Sequence, residues 1–294
     1  MLTLTFLGVG SAFAKRNFQS NALIEAWSSG PQSQDAPDDT LLIDFGATGP
    51  LALHSLNKLP GFSYLSQGER IHYPAVRSIF ITHLHSDHIG GLEELAVMSM
   101  YQAAVFSEGE KYTPRIIAAA DVLADLWEHS LRGGLSARRG GCAELEDYFS
   151  VKSLDPAQPQ GADGFTLLDR YTFAIFPVDH IRIHHAYDWP TYGLLMTDGR
   201  SGETVVYSSD TRFDRTGFEE RMTSSRFNFH DVQLEDSPDS VHATLSELRT
   251  LPQDVRRKTI LYHFGDHWDD QAYAFVADEF AGFAQPRHRY TLFD

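Results

Sequence analysis

Three histidines and an aspartate fall within six residues, His83-Leu84-His85-Ser86-Asp87-His88, and they set the chemistry of this chain. Imidazole is the commonest metal ligand, and His-x-His-x-Asp-His offers too many such groups for one divalent ion. If a strand stops at His83, then His83 and His85 can turn to one ion while Asp87 and His88 turn to a second. Three later segments repeat the plan, placing Asp179-His180, Asp210 and His263 directly after β-rich runs. Metal ions held by such a set would activate water and neutralise charge on a substrate oxyanion.

The elements that must carry these residues follow from the flanking pattern. An apolar, β-leaning run from Val76 to Thr82 ends at His83, and Gly90-Gly91 turns the backbone into a helix over Leu92 to Phe106. Arg170 to Val178, Glu203 to Ser209 and Lys258 to Tyr262 read as strands whose next residues are the later ligands. Ends of neighbouring strands converge on one edge of an α/β fold, so His, His, Asp and His at four strand ends predict a single metal-bearing edge. Leu2, Leu4 and Phe6 alternate with threonines as a first strand, and Asn21 to Trp27, Thr40 to Phe45 and Pro114 to Ala119 read as others. Helices are expected around Pro50 to Leu59 and over Asp121 to Leu131, with Met98 and Met100 in the core. Gly8-x-Gly10 is not a dinucleotide fingerprint, because Phe13 stands where the third glycine belongs. From Arg132 to Gly164 the periodicity breaks down, which predicts an insertion near the cleft mouth with helical pieces such as Cys142 to Phe149. The rest reads as one domain spanning 1–294.

Composition narrows the substrate. Forty acidic against 24 basic residues give a formal net charge of -16. Proteins that wrap a long polyanion show the opposite balance, so no long nucleic acid is expected, whereas a small phosphate ester remains open. Cys142 is the single cysteine, which excludes an intrachain disulfide and fits a reducing compartment. The apolar opening lacks a positively charged start, and no run approaches the ~20 residues that cross a bilayer. The expectation is a cytoplasmic protein with no membrane contact.

His83-x-His85-x-Asp87-His88, after an apolar strand and before a Gly-Gly turn, resembles the signature of the metallo-β-lactamase superfamily. That resemblance, which runs over nearly the whole chain, implies a four-layer αββα sandwich with the metals in the cleft between the sheets. It also implies that His83, His85 and a later histidine hold one ion, that Asp87, His88 and His263 hold the other, and that Asp210 bridges them. His180, at a strand end, is taken as the later histidine and His185 as the alternative; the one left over would line the substrate pocket. Asp44 in Asp44-Phe45-Gly46 would stand behind the ligands, although a simple turn aspartate reads equally well. Tyr207-Ser208-Ser209-Asp210-Thr211 resembles the ribonuclease Z and cyclic nucleotide phosphodiesterase branches, with Ser209 in place of the usual glycine. His242-Ala243-Thr244 resembles the His-x-Thr element of the ribonuclease Z-like branch, whose histidine helps the leaving group depart; the plainer reading is a surface histidine capping a helix over Ala243 to Leu251.

These readings combine into a dinuclear-metal phosphodiesterase acting on a small diester, a cyclic nucleotide or related nucleotide signal. Two zinc ions are expected, with manganese the alternative. His242 is the proton donor and Asp87 a further catalytic carboxylate, while His185, Tyr192 and Phe213 are candidates for substrate contact. A tRNA 3′ endonuclease and a lactone or thioester hydrolase are the competing enzyme readings. The resemblance suggests a homodimer.

Overall fold

Leu2, Leu4 and Phe6 are buried on one face of the first strand and Thr3 and Thr5 on the other, so that strand is covered on both sides. The same double burial recurs through a computed structural model that describes residues 1–31, 35–106, 112–157, 164–183 and 187–294. In chain order the first half gives β1 (Leu2–Gly8), β2 (Asn21–Ala26), β3 (Asp39–Ile43), β4 (Ser78–Phe80), β5 (Arg115–Ala119) and β6 (Ser150–Leu154). The second half gives β7 (Phe165–Leu167), β8 (Tyr171–Pro177), β9 (Tyr192–Asp198), β10 (Thr204–Tyr207), β11 (Phe227–Asp231), β12 (Thr259–Tyr262), β13 (Gly282–Phe283) and β14 (Arg289–Phe293). Two seven-stranded sheets result, ordered β6-β5-β4-β3-β2-β1-β14 and β7-β8-β9-β10-β11-β12-β13.

The sheets meet through aromatic side chains. Phe6 of β1 packs on Phe229 of β11 and Tyr262 of β12, with ring centroids 5.6 and 5.3 Å apart, and Phe80 of β4 stacks on Phe165 of β7 at 6.2 Å. Helices α1 (Gly49–Leu56), α2 (Ser86–Ile89), α3 (Leu92–Phe106), α4 (Ala120–Asp125) and α5 (Arg215–Ser224) flank them, with α1 against β1, α4 against β5 and α5 against β10. This is the expected αββα layering. At the outer edge of the first sheet, Arg289 of β14 reaches past β1 to grip both carboxylate oxygens of buried Glu25 in β2, each at 2.8 Å.

Strand direction explains where the ligands gather. β3, β4 and β5 are mutually parallel, as are β10, β11 and β12, while β8 runs antiparallel to β9 and β9 to β10. The carboxyl ends of β8, β10, β11 and β12 therefore share one edge, and those of β3, β4 and β5 share one in the other sheet.

The helix before the insertion is present and runs longer than expected, and one reading of the insertion is corrected. The helix expected from Asp121 begins at Ala120, widens into a π turn over Leu126–Leu131 and continues through Arg132–Leu135. Cys142 to Phe149 is not helical as a whole. Gly140 and Gly141 turn the chain at φ 101° and 156°, Gly141–Cys142 pairs with Ala137–Arg138, and only Leu145–Asp147 forms a helical turn. Cys142 is free and exposed. Among the described residues, no helix is long and apolar enough to cross a membrane.

Candidate metal centre

The chain after β3 and the chain after β4 lock together before any ligand is placed. Phe45 N–H donates to His88 O at 2.7 Å, Ala47 N–H to Ser86 O at 3.0 Å and Gly91 N–H to Phe45 O at 2.8 Å. Asn21 fastens the pair, donating from Nδ2 to Asp87 O at 3.1 Å and accepting the Gly46 N–H at 2.9 Å. Gly46 is required there, since a Cβ would sit 1.8 Å from the Asp87 carbonyl oxygen. Gly46→Ala is expected to push the turn bearing Asp87 and His88 away, costing about 1–3 kcal/mol or more of stability. Denaturant unfolding and metal content on the same sample check this, and an alanine variant with parent values on both would refute it.

Asp44 then orients two imidazoles. Its carboxylate accepts the Thr82 N–H and hydroxyl, each at 2.8 Å, and the His88 Nδ1–H at 2.7 Å. Because the Thr82 hydroxyl is spent on Asp44, its oxygen accepts the Nδ1–H of His83 at 2.9 Å. His180 donates Nδ1–H to Val241 O at 2.9 Å. All three rings therefore turn Nε2 inward, the nitrogen left to face a metal.

Those nitrogens close on one carboxylate. His83 Nε2 and His180 Nε2 lie 3.0 and 3.2 Å from His85 Nδ1, and each is 3.9 Å from Asp210 Oδ2. On the other side of the same oxygen stand His88 Nε2 at 3.2 Å and His263 Nε2 at 3.3 Å; these two are 3.3 and 3.2 Å from Asp87 Oδ2. Two four-residue groups, His83/His85/His180/Asp210 and Asp87/His88/Asp210/His263, are each tight enough to hold an ion, and a third, Asp210/Asp231/His242/His263, adjoins them. Asp44, Ser209 and His263 adopt left-handed backbone at φ 60°, 58° and 64°, a strained choice that aims strand-end side chains into the cleft. It also explains why glycine is the usual residue at the position of Ser209 in the resemblance noted above.

The charge state suits a divalent cation. Burial pushes His83 well down, lowers His85 and takes His180 to about 4, so these rings are neutral. Burial works against the charge on Asp210, yet His263 and His88 hold its carboxyl well below the usual range. Asp87 is lowered likewise by His88 and His263 against its own burial. His88 is the exception: burial disfavours its proton, but Asp210, Asp87 and Asp44 together hold it well above its ordinary value. A metal would displace that proton. Buried His88 Nε2 and Asp210 Oδ1 make no hydrogen bond, which is what a ligand set wants of its inward atoms.

His242 lies beside this set rather than in the two groups. Its Nδ1–H donates to Asp231 Oδ2 at 2.9 Å and stands 4.0 Å from Asp210 Oδ2. Burial lowers the affinity of this ring for a proton, but Asp231 and Asp210 outweigh it and raise the imidazole above its ordinary value. The following residues fix the loop: Ala243 N–H donates to Thr211 O at 2.7 Å, and Thr244 forms a capping box with Glu247 on helix α6 (Leu245–Leu248). The cap is thus Thr244, and the helix is shorter than Ala243 to Leu251.

Of the substrate candidates, Tyr192 is buried at the start of β9, donates its hydroxyl to Asp121 at 2.6 Å and lines a cavity that also borders His180. Phe213 packs against the core, and His185 lies outside the described residues. Sequence reasoning passed over Trp189, whose ring stacks on His85 at 5.2 Å, and the role of Asp231 behind His242. An aspartate ending a strand beside a histidine was the only available signal for the latter.

The family model for the anti-Pycsar protein Apyc1 matches residues 2–290. An anti-Pycsar protein Apyc1 from Paenibacillus xerothermodurans is 34% identical over 271 residues, covering 91% of this chain and 90% of its own. The protein of the same name from Bacillus phage vB_BveM-Goe7 is 33% identical over 271 residues, with 91% and 90% covered. Among solved structures, the metallo-β-lactamase fold protein YhfI from Bacillus subtilis superposes with a TM-score of 0.66 at 16% identity, covering 98% of both chains, and so shares the fold.

Proposed function

Since this chain belongs to the family of the anti-Pycsar protein Apyc1, and two ligand groups overlap on one carboxylate, we propose that it is a dinuclear-metal phosphodiesterase that opens the ring of a cyclic nucleotide. The observation that carries this reading is Asp210, the one carboxylate common to both groups. His83, His85 and His180 would hold one ion, Asp87, His88 and His263 the other, and Asp210 both. When bound, such a pair of ions supplies an activated water and neutralises the charge that develops on the phosphate. Zinc suits the nitrogen and carboxylate donors, with manganese the alternative. The same reading takes the cytoplasm as the compartment and a homodimer as the assembly.

The chain's own groups do the rest. Asp44, acting directly on His88 and through Thr82 on His83, keeps two rings turned inward. A cavity of about 340 Å³ between His85, Asp87, His180, His242 and His263 is large enough for a phosphodiester and part of its sugar. Water adds to phosphorus, one ester P–O bond breaks, and the departing ribose oxygen takes a proton from His242. With Nδ1–H committed to Asp231, Nε2 is the atom that gives it.

The test is a panel of cyclic mononucleotides, a 3′-tailed tRNA and a lactone, assayed with metal-analysed protein. Conversion of a cyclic nucleotide to the linear monophosphate is expected. Turnover of tRNA or lactone alone would overturn the reading.

A further inference from the structure

Phe13 departs from the burial of its neighbours. It is 86% exposed, whereas Phe6 in the same segment is fully buried. Yet the loop that carries it, between β1 and β2, is tied down at both ends. Gly10 N–H donates to Phe18 O at 2.8 Å, Ser20 N–H to Gly10 O at 2.9 Å and Ala14 N–H to Ser11 O at 3.1 Å. Its outer side is fastened to the segment after His263. Ser11 N–H bonds Phe264 O at 3.0 Å, the N–H groups of Lys15, Arg16 and Asn17 converge on the Asp266 carboxylate, and the Arg16 guanidinium grips Asp269 at 2.8 and 2.7 Å. A large apolar ring is thus placed in water by a well-bonded frame.

That ring stands between two cavities. Ala12, Phe13, Val241, His242 and His263 line the one at the ligand groups and also a second of about 350 Å³. The second continues over Val232 and Leu234 and has no lysine or arginine in its lining. Several of its polar side chains are already engaged. Gln233 donates to Glu235 O at 2.8 Å and accepts from Ser240 at 2.9 Å, and the Glu235 carboxylate pairs with His267. Val232, Leu234 and Val241 supply apolar wall and Phe13 an aromatic face, which with the absence of a lysine or arginine suits an uncharged planar ring better than a second phosphate.

We propose that the second cavity seats the nucleobase of the substrate, with Phe13 as its stacking face and therefore a determinant of substrate affinity. The proposal rests on the phosphodiesterase reading above. It is tested with Phe13→Ala and Phe13→Tyr on a cyclic nucleotide and on the same ribose cyclic phosphate with hydrogen in place of the base. For Phe13→Ala, kcat/KM on the nucleotide relative to the baseless substrate should fall roughly 5- to 150-fold, mainly through KM. Phe13→Tyr, which keeps the ring, should retain the parent ratio, and metal content should match the parent in both variants. An unchanged ratio in Phe13→Ala, or a tyrosine variant as impaired as the alanine one, would overturn the base seat while leaving the phosphodiesterase standing. A parent enzyme that turns over no cyclic nucleotide would remove both.

Discussion

Asp210→Ala should lose bound metal and hydrolysis together. The carboxylate lies 3.2 to 3.9 Å from four inward ring nitrogens, those of His88, His263, His83 and His180, and no other carboxylate belongs to both ligand groups. Residues that merely support a ligand change metal affinity by about 10–100-fold, so removing a ligand common to two ions should cost more than that. Asp210→Asn is the companion variant, because it keeps the shape and removes the charge that offsets the surrounding imidazoles. Elemental analysis and turnover on one preparation decide the matter. Full metal occupancy in either variant would exclude Asp210 as the shared ligand, whatever happened to the rate.

The second large effect is expected at His242, and it should depend on the leaving group. A ribose alkoxide departs poorly without a proton, so His242→Ala should lower turnover of the cyclic nucleotide by about 10²–10⁴-fold. A nitrophenolate leaves unprotonated, so a nitrophenyl phosphodiester should be hydrolysed at close to the parent rate. Metal content should hold, since His242 faces Asp231 at 2.9 Å and stands outside the two ligand groups. Equal losses on both diesters would make His242 a positioning residue. Loss of metal would make it a ligand, a possibility the geometry raises because Asp210, Asp231, His242 and His263 also cluster.

Much of this was legible in the chain because strand-end ligands are a local signal. His83, His180, Asp210 and His263 each follow a β-rich run by no more than three residues, and the apolar, β-branched and aromatic content of such runs makes them visible. What escaped reading depends on distance in sequence. Asp231 meets His242 across a loop, and Trp189 meets His85 from the other half of the chain, so neither contact leaves a periodic trace. The Tyr192–Asp121 hydrogen bond leaves no trace either, because Asp121 lies in α4, 71 positions away. The hairpin at Gly140-Gly141 is equally silent, because a two-residue ladder is too short to show a period.

The place of β14 has a consequence for how the molecule is made. Leu2 pairs with Phe293 and Thr5 with Arg289, so the outermost strand of the first sheet joins the two ends of the described chain. Until those last residues exist, one side of β1 presents unpaired N–H and C=O groups along an apolar strand, the template that invites pairing with another molecule. Contacts of such sequence separation also form slowly, because the loop they close must first lose its freedom. Biosynthesis therefore passes through an interval in which β1, β2 and β3 can already be paired but their edge is open. Shielding of that edge, by a chaperone or by low concentration of the nascent chain, should govern how much protein is recovered, and pairing of β14 with β1 is what ends the interval.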